Sequence, residues 1–470
     1  EMQRSLVGSE MCIRDRVFYM KMKKLLATIL ATTLACGTIV GCGGGTADSS
    51  KSSAGGDTAK SGDGKVVKVF QLKVEINDAL QELAKKYEEE TGVKVEITSV
   101  GGGADYGASL KAEFAKGTEP DIFMIQGAGD YEVWKHKIDD LSNESWVSKA
   151  VNGTLDTVTV DGKVYGMPAA TEGYGLMYNK SILDKAGIDP ASITSFTKLK
   201  EAVEKLDSKK ADLGIDDVFS YTTKETWVTG NHTFNIPFAM QDDPEKFADD
   251  YFAGKADVVN NKQFNDWMNL VELMCKYGGK EKLETIDYST QVGNFALGKT
   301  AFMQQGNWTA GDLKKLTEGA EFDMGFIPMS IDDSEKSSCI PVGVPMYWVV
   351  NKDSKVNAEA KAFLTWMVES KEGQEAIVKN MDMIPAFTNF TVESDNALNK
   401  SISEFNKAGK TIPWTFTNFP DGFSMNNIGP VFSKFIKTDM GDDAKKQMLE
   451  DIQAATPVSY THLTLPTIRL

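Results

Sequence analysis

Cysteine, histidine and positive charge are all scarce in this chain, and each shortage argues against a class of site. Its 470 residues include five cysteines and three histidines, with no C-x-x-C pair and no Cys/His spacing typical of a metal site. The formal net charge of −16 argues against nucleic-acid binding, because a phosphate backbone needs a basic protein face. The motifs G-x-S-x-G and H-E-x-x-H are also missing. We therefore expect no metal and no cofactor.

An apolar stretch near the N-terminus is typical of a secretory signal. Residues 20–41 begin with lysines and continue into an apolar run that is short for a membrane-spanning helix. The run ends in Ile39-Val40-Gly41-Cys42, which resembles the lipobox of bacterial lipoproteins, so we expect Cys42 to carry the lipid. Cys36 is a weaker candidate, because Thr33 is a poor residue for the −3 position of that motif.

The segments around the signal differ from a folded domain. Residues 42–64 are rich in glycine and serine and predict a flexible tether. Residues 1–19 place charges before the signal, and residues 457–470 break off a helical pattern, so we expect both ends to be non-native flanks. Cys275 and Cys339 either pair or remain thiols, and the sequence favours buried free thiols.

The folded part opens with strands and helices in alternation. Apolar residues recur at helical spacing between Ile76 and Tyr87, and alternate with polar residues between Val93 and Ile97. The predicted order is strand 66–72, helix 76–91, strand 93–97, helix 106–116 and strand 120–125. Such alternation predicts an α/β fold, with a mostly parallel sheet and helices on both faces.

The stretch 158–187 has the features of a connection between two structural units. Asp161-Gly162 predicts a tight turn between two short strands, and Pro168 begins a loop. A short apolar strand, Leu176–Tyr178, then precedes Asn179 and a helix-like segment. We interpret this strand as a hinge.

Ordered motifs along the chain carry a family resemblance. The motifs are the lipobox, Lys116-Gly117-Thr118-Glu119-Pro120-Asp121-Ile122, Gly162-Lys163-Val164-Tyr165-Gly166-Met167-Pro168, Leu176-Met177-Tyr178-Asn179-Lys180, Phe295-Ala296-Leu297-Gly298-Lys299-Thr300-Ala301-Phe302-Met303 and Gly306-Asn307-Trp308. Over residues 65–456 they resemble the family 1 extracellular solute-binding proteins, which capture substrates for carbohydrate ABC importers. The resemblance implies a two-lobed, type II periplasmic-binding-protein-like fold. Each lobe would be a mixed or parallel sheet flanked by helices, with the ligand cleft at the hinge.

The resemblance also implies lobe boundaries, because relatives cross between lobes two or three times. It places the first lobe at residues 65–177 and 328–405, and the second lobe at residues 178–327 and 406–456.

Candidate ligand residues follow predicted strands, since ligands of open α/β sheets bind beyond the carboxyl ends of strands. Sugar recognition combines flat aromatic faces with polar groups for hydroxyls. By resemblance, Trp308 stacks on sugar and Glu172 contacts ligand; the alternatives are a core tryptophan and a solvated loop acid. The other candidates by position are Tyr174, Lys73, Glu75, Asp105, Gln126, Asp130, Trp227, Tyr347, Trp348 and Trp414. For Tyr347 and Trp348, strand alternation suggests that one points to the cleft and the other into the core.

The resulting expectation is a lipid-anchored, extracytoplasmic protein on the bacterial cell membrane that captures an oligosaccharide. It would act as a monomer, deliver the sugar to ABC permease subunits and break no bond. Two alternatives remain: the same fold binding a polyamine, phosphonate or peptide, and a secreted glycoside-active enzyme that uses two carboxylates.

Overall fold

The structure is a computed structural model that describes residues 64–101, 104–319 and 323–456. The predicted signal, lipidation site, tether and flanks lie outside this part of the chain, apart from residue 64. The strands, in chain order, are β1 Val66–Gln71, β2 Lys94–Ser99, β3 Ile122–Ile125, β4 Thr159–Val160, β5 Lys163–Val164, β6 Met167–Pro168, β7 Glu172–Asn179, β8 Asp217–Ser220, β9 Thr300–Gly306, β10 Met324–Ile327, β11 Ile340–Gly343, β12 Tyr347–Val350 and β13 Thr411–Ile412.

The α-helices are numbered in the same way. They are α1 Asn77–Thr91, α2 Tyr106–Lys116, α3 Ala128–Trp134, α4 Lys180–Ala186, α5 Phe196–Ser208, α6 Lys210–Leu213, α7 Phe234–Ala239, α8 Pro244–Phe252, α9 Lys262–Tyr277, α10 Tyr288–Ala296, α11 Ala310–Leu316, α12 Asn357–Glu369, α13 Lys371–Glu375, α14 Ala397–Lys407, α15 Gly429–Phe435 and α16 Asp442–Ala454. No helix in the described ranges has both the length and the apolar character needed to cross a membrane.

The first sheet has five strands in the order β2-β1-β3-β12-β6. The β1 strand pairs in parallel with β2 and β3, whereas β12 runs antiparallel to β3 and β6. Helices cover both faces, so alternate residues of β3 enter different cores: Met124 packs with α1 and α12, and Phe123 packs with α2 and α3. This explains why β3 is an uninterrupted apolar run.

The second sheet has six strands, β13-β11-β7-β9-β8 with β10 also paired to β7. One edge of β7 pairs with β9, and the other pairs with β10 and then β11. Leu176 faces the core that contains α5 and α9, while Met177 faces the core that contains α10 and α14. Both sheets are mixed, and the two-lobed α/β fold predicted from the sequence is confirmed.

Strand membership places the connections between the sheets at other residues than the sequence suggested. The predicted crossing at Leu176–Asn179 lies inside β7, which belongs wholly to the second sheet from Glu172 onward. The chain instead passes between the sheets first at residues 169–171 and then at residues 344–346, which is later than the suggested boundary at 327/328. A third passage lies between β12 and β13. The difference arises because Gly173 and Gly175 have no side chains. The first half of β7 therefore lacks the alternation of apolar and polar residues that indicates a strand.

Local signals fixed many element ends. Asn179 lies before α4 as predicted, and its side chain accepts a hydrogen bond from the backbone N–H of Ile182. Gly92 ends α1 in the left-handed conformation, with φ of 78°. Cys275 and Cys339 are free thiols, and Cys275 is buried within α9. Among the described residues, no group of His, Cys, Asp or Glu side chains is arranged to hold a metal ion.

The β4–β5 turn gives a first prediction about stability. Asp161 and Gly162 both have positive φ, 51° and 75°, and a Cβ at Gly162 meets no atom within 4 Å. Gly162→Ala should therefore lower the free energy of unfolding through backbone strain alone, by about 1 kcal/mol. Urea denaturation measures this change.

Gly293→Ala is the matched control for that substitution. Gly293 lies inside α10, and its Cβ would also meet nothing within 4 Å. Alanine there should raise the free energy of unfolding by about 0.5–1 kcal/mol, because glycine loses more backbone entropy in a helix. Equal effects of the two substitutions would contradict the turn assignment.

Candidate functional site

Three charged residues predicted from the sequence meet at the start of β7. The Lys73 ammonium lies 2.7 Å from a carboxylate oxygen of Glu172 and 2.6 Å from one of Glu75. Lys73 follows the end of β1 in the first sheet, and Glu172 begins β7 in the second sheet, so this ion pair connects the two sheets. Lys73 is 6% exposed and Glu172 is 4% exposed, which makes this a buried ion pair.

The charges of this group depend on one another. Burial alone would lower the pKa of Lys73, but the carboxylates of Glu172 and Glu75 raise it well above its usual range. Burial raises the pKa of Glu172, and Glu75 adds to this, while Lys73 opposes it. Lys73 therefore stays protonated, and losing either Lys73 or Glu172 would leave the other buried with too little compensation.

An aromatic shell surrounds His232 in the second lobe, on the side of β7 that carries Glu172. Tyr174 shares a strand face with Glu172 because the two are separated by one residue. The His232 ring stacks on Tyr174, with centroids 4.3 Å apart, and its plane lies 20° from that of Tyr174. The other ring centroids lie between 5.0 and 6.0 Å from that of His232, and they belong to Trp308, Trp227, Phe416 and Trp414.

Strand pairing connects the aromatic shell to the charged group. Glu172 is paired with Gly343 across β7 and β11, and the Trp414 ring packs against Gly343. Tyr174 is paired with Gly306, over which the Trp308 ring folds. The missing side chains of the two glycines leave room for the tryptophans. The fold therefore places the charged group of Lys73, Glu75 and Glu172 next to Trp308 and Trp414.

Trp308 and Trp227 keep their indole nitrogens bonded within the protein. Trp308 donates from Nε1 to Gln305 at 2.9 Å, and Trp227 donates to Glu225 at 3.1 Å. Both rings are half-buried, unlike the core tryptophan Trp267. A partly open, fixed indole face is a surface on which the apolar side of a sugar ring can stack.

The two lobes also meet next to this shell. A cavity of about 20 Å³ lies between Gln126 and Asp130 of the first lobe and Asn231 and Phe416 of the second. It has room for one water molecule and no room for a sugar ring. Asp130 accepts a hydrogen bond from the Gln126 backbone N–H at 2.8 Å, and burial raises the pKa of Asp130 to about 6.

Close backbone contact holds the lobes together at this edge. A Cβ on Gly129, in the first turn of α3, would lie 2.1 Å from the carbonyl oxygen of Phe419. Nearby, Lys111 of α2 pairs with Asp421 at 2.8 Å. The structure is therefore a closed arrangement, and a ligand the size of a sugar needs the lobes to separate before it can enter.

Three predicted site residues lie elsewhere. Asp105 is an exposed cap, and its side chain accepts from the backbone N–H of Ala108 at the start of α2. Tyr347 and Trp348 are both 2% exposed and enter opposite cores of the first sheet. The expectation that one of the pair faces the cleft does not agree with this placement, because helices cover both faces of that sheet.

Sequence reasoning missed His232, Phe416 and Tyr288. Tyr288 packs against Trp227, with centroids 6.0 Å apart, and donates to Asp312 at 3.0 Å. His232 and Tyr288 do not directly follow a strand, and the strand before Phe416, β13, has only two residues, so the strand-end rule did not select them. The one usable signal was that His232 is among three histidines in the chain.

A nucleotide-binding pattern outside the site is accidental. Gly293-Asn294-Phe295-Ala296-Leu297-Gly298-Lys299-Thr300 fits G-x-x-x-x-G-K-[ST]. That motif cradles phosphates only when a strand enters it and a helix leaves it. Here the order is reversed, because the segment runs from α10 into β9. The pattern therefore makes no phosphate site.

His232 predicts how stability depends on pH. Burial lowers the pKa of His232 to about 3, below the value of about 6.5 in an unfolded chain. Between these values the unfolded chain binds a proton that the folded protein does not, so stability is lost as pH falls. From pH 7 to pH 5 this costs about 2 kcal/mol, which His232→Phe should remove.

The comparison of wild type with His232→Phe isolates this contribution. Asp130 has the opposite effect on stability. Because its pKa is raised in the folded protein, the folded protein binds a proton there at a higher pH than the unfolded chain does, which stabilises the fold as pH falls. That effect is common to both proteins and cancels in the difference. Urea denaturation at pH 7 and pH 5 measures the free energy of unfolding of both proteins. The same pH dependence in both would contradict a neutral, buried His232.

Comparisons with known proteins agree on one family. The model of the bacterial extracellular solute-binding protein family matches residues 82–423. A maltooligosaccharide ABC transporter solute-binding lipoprotein of Streptococcus pneumoniae is 24% identical, over 78% of this chain and 82% of its own length. A melibiose/raffinose/stachyose-binding protein of Bacillus subtilis is 25% identical, over 63% of this chain and 68% of its own.

Solved structures show the same fold. A solute-binding protein in complex with raffinose has a TM-score of 0.69 at 18% identity, covering 83% of this chain and 98% of its own. A sugar transporter protein of Bacillus licheniformis in complex with stachyose has a TM-score of 0.66 at 20% identity, with the same coverage of both chains. The chain belongs to the bacterial extracellular solute-binding protein family.

Proposed function

We propose that this protein captures a sugar, an oligosaccharide, outside the cytoplasm and delivers it to the permease of an ABC importer. The observation that carries the proposal is the meeting of an aromatic shell with a buried charged group where the two lobes join. Aromatic faces stack on sugar rings, and carboxylates accept hydrogen bonds from hydroxyl groups. The maltooligosaccharide, raffinose and stachyose proteins among its relatives agree with a sugar ligand.

Each lobe supplies a different part of the proposed site. The first lobe supplies Lys73, Glu75, Gln126 and Asp130, and the second supplies the aromatic residues. Glu172 lies where the chain enters the second sheet. A ligand held between such surfaces links the lobes, so its binding energy favours the closed arrangement. The permease would then recognise the closed form.

The charges disfavour two of the alternatives, a phosphonate ligand and a glycosidase. Lys73 is the cation of the charged group, and two carboxylates already bind it, so a phosphonate finds no free positive charge there. A glycosidase needs one protonated and one ionised carboxyl on opposite sides of the sugar bond. Glu75 and Glu172 instead bind the same ammonium. This arrangement favours binding over hydrolysis.

A lipid at Cys42 would keep the protein at the cell surface. The motif Ile39-Val40-Gly41-Cys42 supports this part of the proposal, and relatives named as lipoproteins agree with it. Residues 43–64 would let the folded part reach a permease in the same membrane. Mass spectrometry of the mature protein should find acyl chains on Cys42.

Isothermal titration tests the sugar proposal directly. Maltotriose, raffinose, stachyose and glucose are titrated into the protein, with spermidine and methylphosphonate as non-sugar probes. We expect saturable binding of at least one oligosaccharide, together with a change in tryptophan fluorescence. Binding of a non-sugar probe and of no sugar would contradict the proposal.

A further inference from the structure

Three buried polar atoms in and next to the aromatic shell lack hydrogen-bond partners. They are Nδ1 of His232, Nε1 of Trp414 and Oγ1 of Thr415. These side chains belong to residues that are 5%, 7% and 3% exposed, respectively. A buried polar atom without a partner loses its hydration and gains nothing in return, so native proteins contain few of them. Two of these atoms belong to the aromatic shell, and Thr415 lies in the chain between its members Trp414 and Phe416, so the three point to a partner that is external to the chain.

The side chains around His232 do not supply its Nδ1 with a hydrogen-bond partner. His232 stacks on Tyr174 and has Trp227, Trp308 and Phe416 around it. These rings offer flat apolar faces toward the imidazole. The cavity beside Asn231 does not include His232 or Thr415 in its lining, so a water there does not reach them. The segment Thr415–Asn418 lies against Gly127 of the first lobe, where a Cβ on Gly127 would be 2.9 Å from the carbonyl oxygen of Thr417, so separation of the lobes would uncover this side of the shell.

The chemistry of the three atoms matches hydroxyl groups. The Trp414 indole only donates, the Thr415 hydroxyl donates and accepts, and the Nδ1 of a neutral His232 does either. A hydroxyl can satisfy each of them. A carboxylate would satisfy the indole but would lie next to the negative charges of Glu75 and Glu172. An ammonium would find no acceptor on the indole.

We propose that His232, Trp414 and Thr415 form a hydroxyl-recognition set, whose side chains hydrogen-bond to hydroxyl groups of a sugar bound at the aromatic shell. This inference rests on the proposed function and assigns residues within its site. Sequence reasoning had selected only Trp414, as an aromatic platform, whereas its indole N–H is the group that matters here. His232 and Thr415 become specificity-determining residues.

Titration of raffinose and maltotriose at pH 7 into the Thr415→Val and His232→Phe variants tests the set. Thr415→Val keeps the side-chain shape and removes the hydroxyl, and His232→Phe keeps an aromatic ring and removes Nδ1. Each should weaken binding by about 10-fold, since a lost hydrogen bond of this kind contributes a factor of that size. Neither variant should melt below wild type at pH 7, because each removes an unpartnered polar atom.

Thr300→Val is the matched control. Thr300 is also buried with an unpartnered hydroxyl, but it begins β9, whereas the aromatic shell lies beyond the other end of that strand. Its affinity should equal that of wild type. Binding of Thr415→Val and His232→Phe within twofold of wild type would overturn the set and leave the sugar proposal intact. Failure of wild type to bind either sugar would overturn the set for these ligands, and the full sugar panel then decides the proposed function.

Discussion

Lys73→Met is expected to lower the free energy of unfolding by about 3–5 kcal/mol, the largest effect on stability that we predict. The variant leaves Glu172, which is 4% exposed, buried without its main counter-charge. Methionine has a similar length and fills much of the same space, so the loss is electrostatic in origin. Urea denaturation at pH 7 measures it.

Two controls separate this effect from general loss of charge. Lys198→Met removes one partner of an exposed pair with Glu201, whose side chains are 53% and 59% exposed, and should cost less than about 1 kcal/mol. The double variant Lys73→Met, Glu172→Gln should be more stable than Lys73→Met alone, because no buried charge remains unpaired. A Lys73→Met variant as stable as Lys198→Met would contradict the buried ion pair.

The burial of Glu172 also changes what its removal means. From the sequence alone, Glu172→Ala is expected to weaken sugar binding and leave the fold intact. In the structure Glu172 neutralises Lys73, so we now expect Glu172→Ala to lower both stability and affinity. Affinity must therefore be measured well below the melting temperature of the variant.

Trp308→Ala is expected to weaken sugar binding by about 30-fold or more. A stacked tryptophan at the centre of a site typically contributes about 2 kcal/mol or more, which corresponds to that factor. Trp308 is half-buried and lies over Gly306. Its replacement by alanine therefore removes the stacking surface and leaves the strand in place. Isothermal titration with the best sugar of the panel measures the loss.

Trp366→Ala is the control for Trp308→Ala. Trp366 lines an open surface cavity on α12 in the first lobe and packs against Tyr87, with ring centroids 5.1 Å apart. Its removal should leave sugar affinity unchanged. If Trp308→Ala binds within twofold of wild type, or if Trp366→Ala loses as much, then Trp308 is not the sugar platform.

Local patterns were enough to predict much of the fold. The helix predicted at residues 106–116 agrees with the structure to the residue, because its periodicity and its flanking turns are local. The full length of β7 was not predictable in this way. Pairing with β9, β10 and β11 fixes it, and those contacts come from distant parts of the chain.

Strand ends and the family resemblance predicted part of the candidate site. Lys73 follows the end of β1, and Glu172, which the family resemblance selected, begins β7; the structure brings the two into contact. Strand alternation selected Tyr347 and Trp348, which cores on both faces of the sheet bury. These signals missed His232, because that residue lies in a π-helical segment of the second lobe that no sequence motif marks. His232 stands out only in the three-dimensional structure, where its buried Nδ1 has no hydrogen-bond partner.

A crystal structure with the sugar that binds best in titration tests the central claim most directly. We predict a sugar ring stacked on Trp308, with hydroxyls bound to Glu172 and to the set formed by His232, Trp414 and Thr415. The two lobes should close on it from opposite sides. A sugar bound away from the aromatic shell, with these side chains unchanged, would contradict the account.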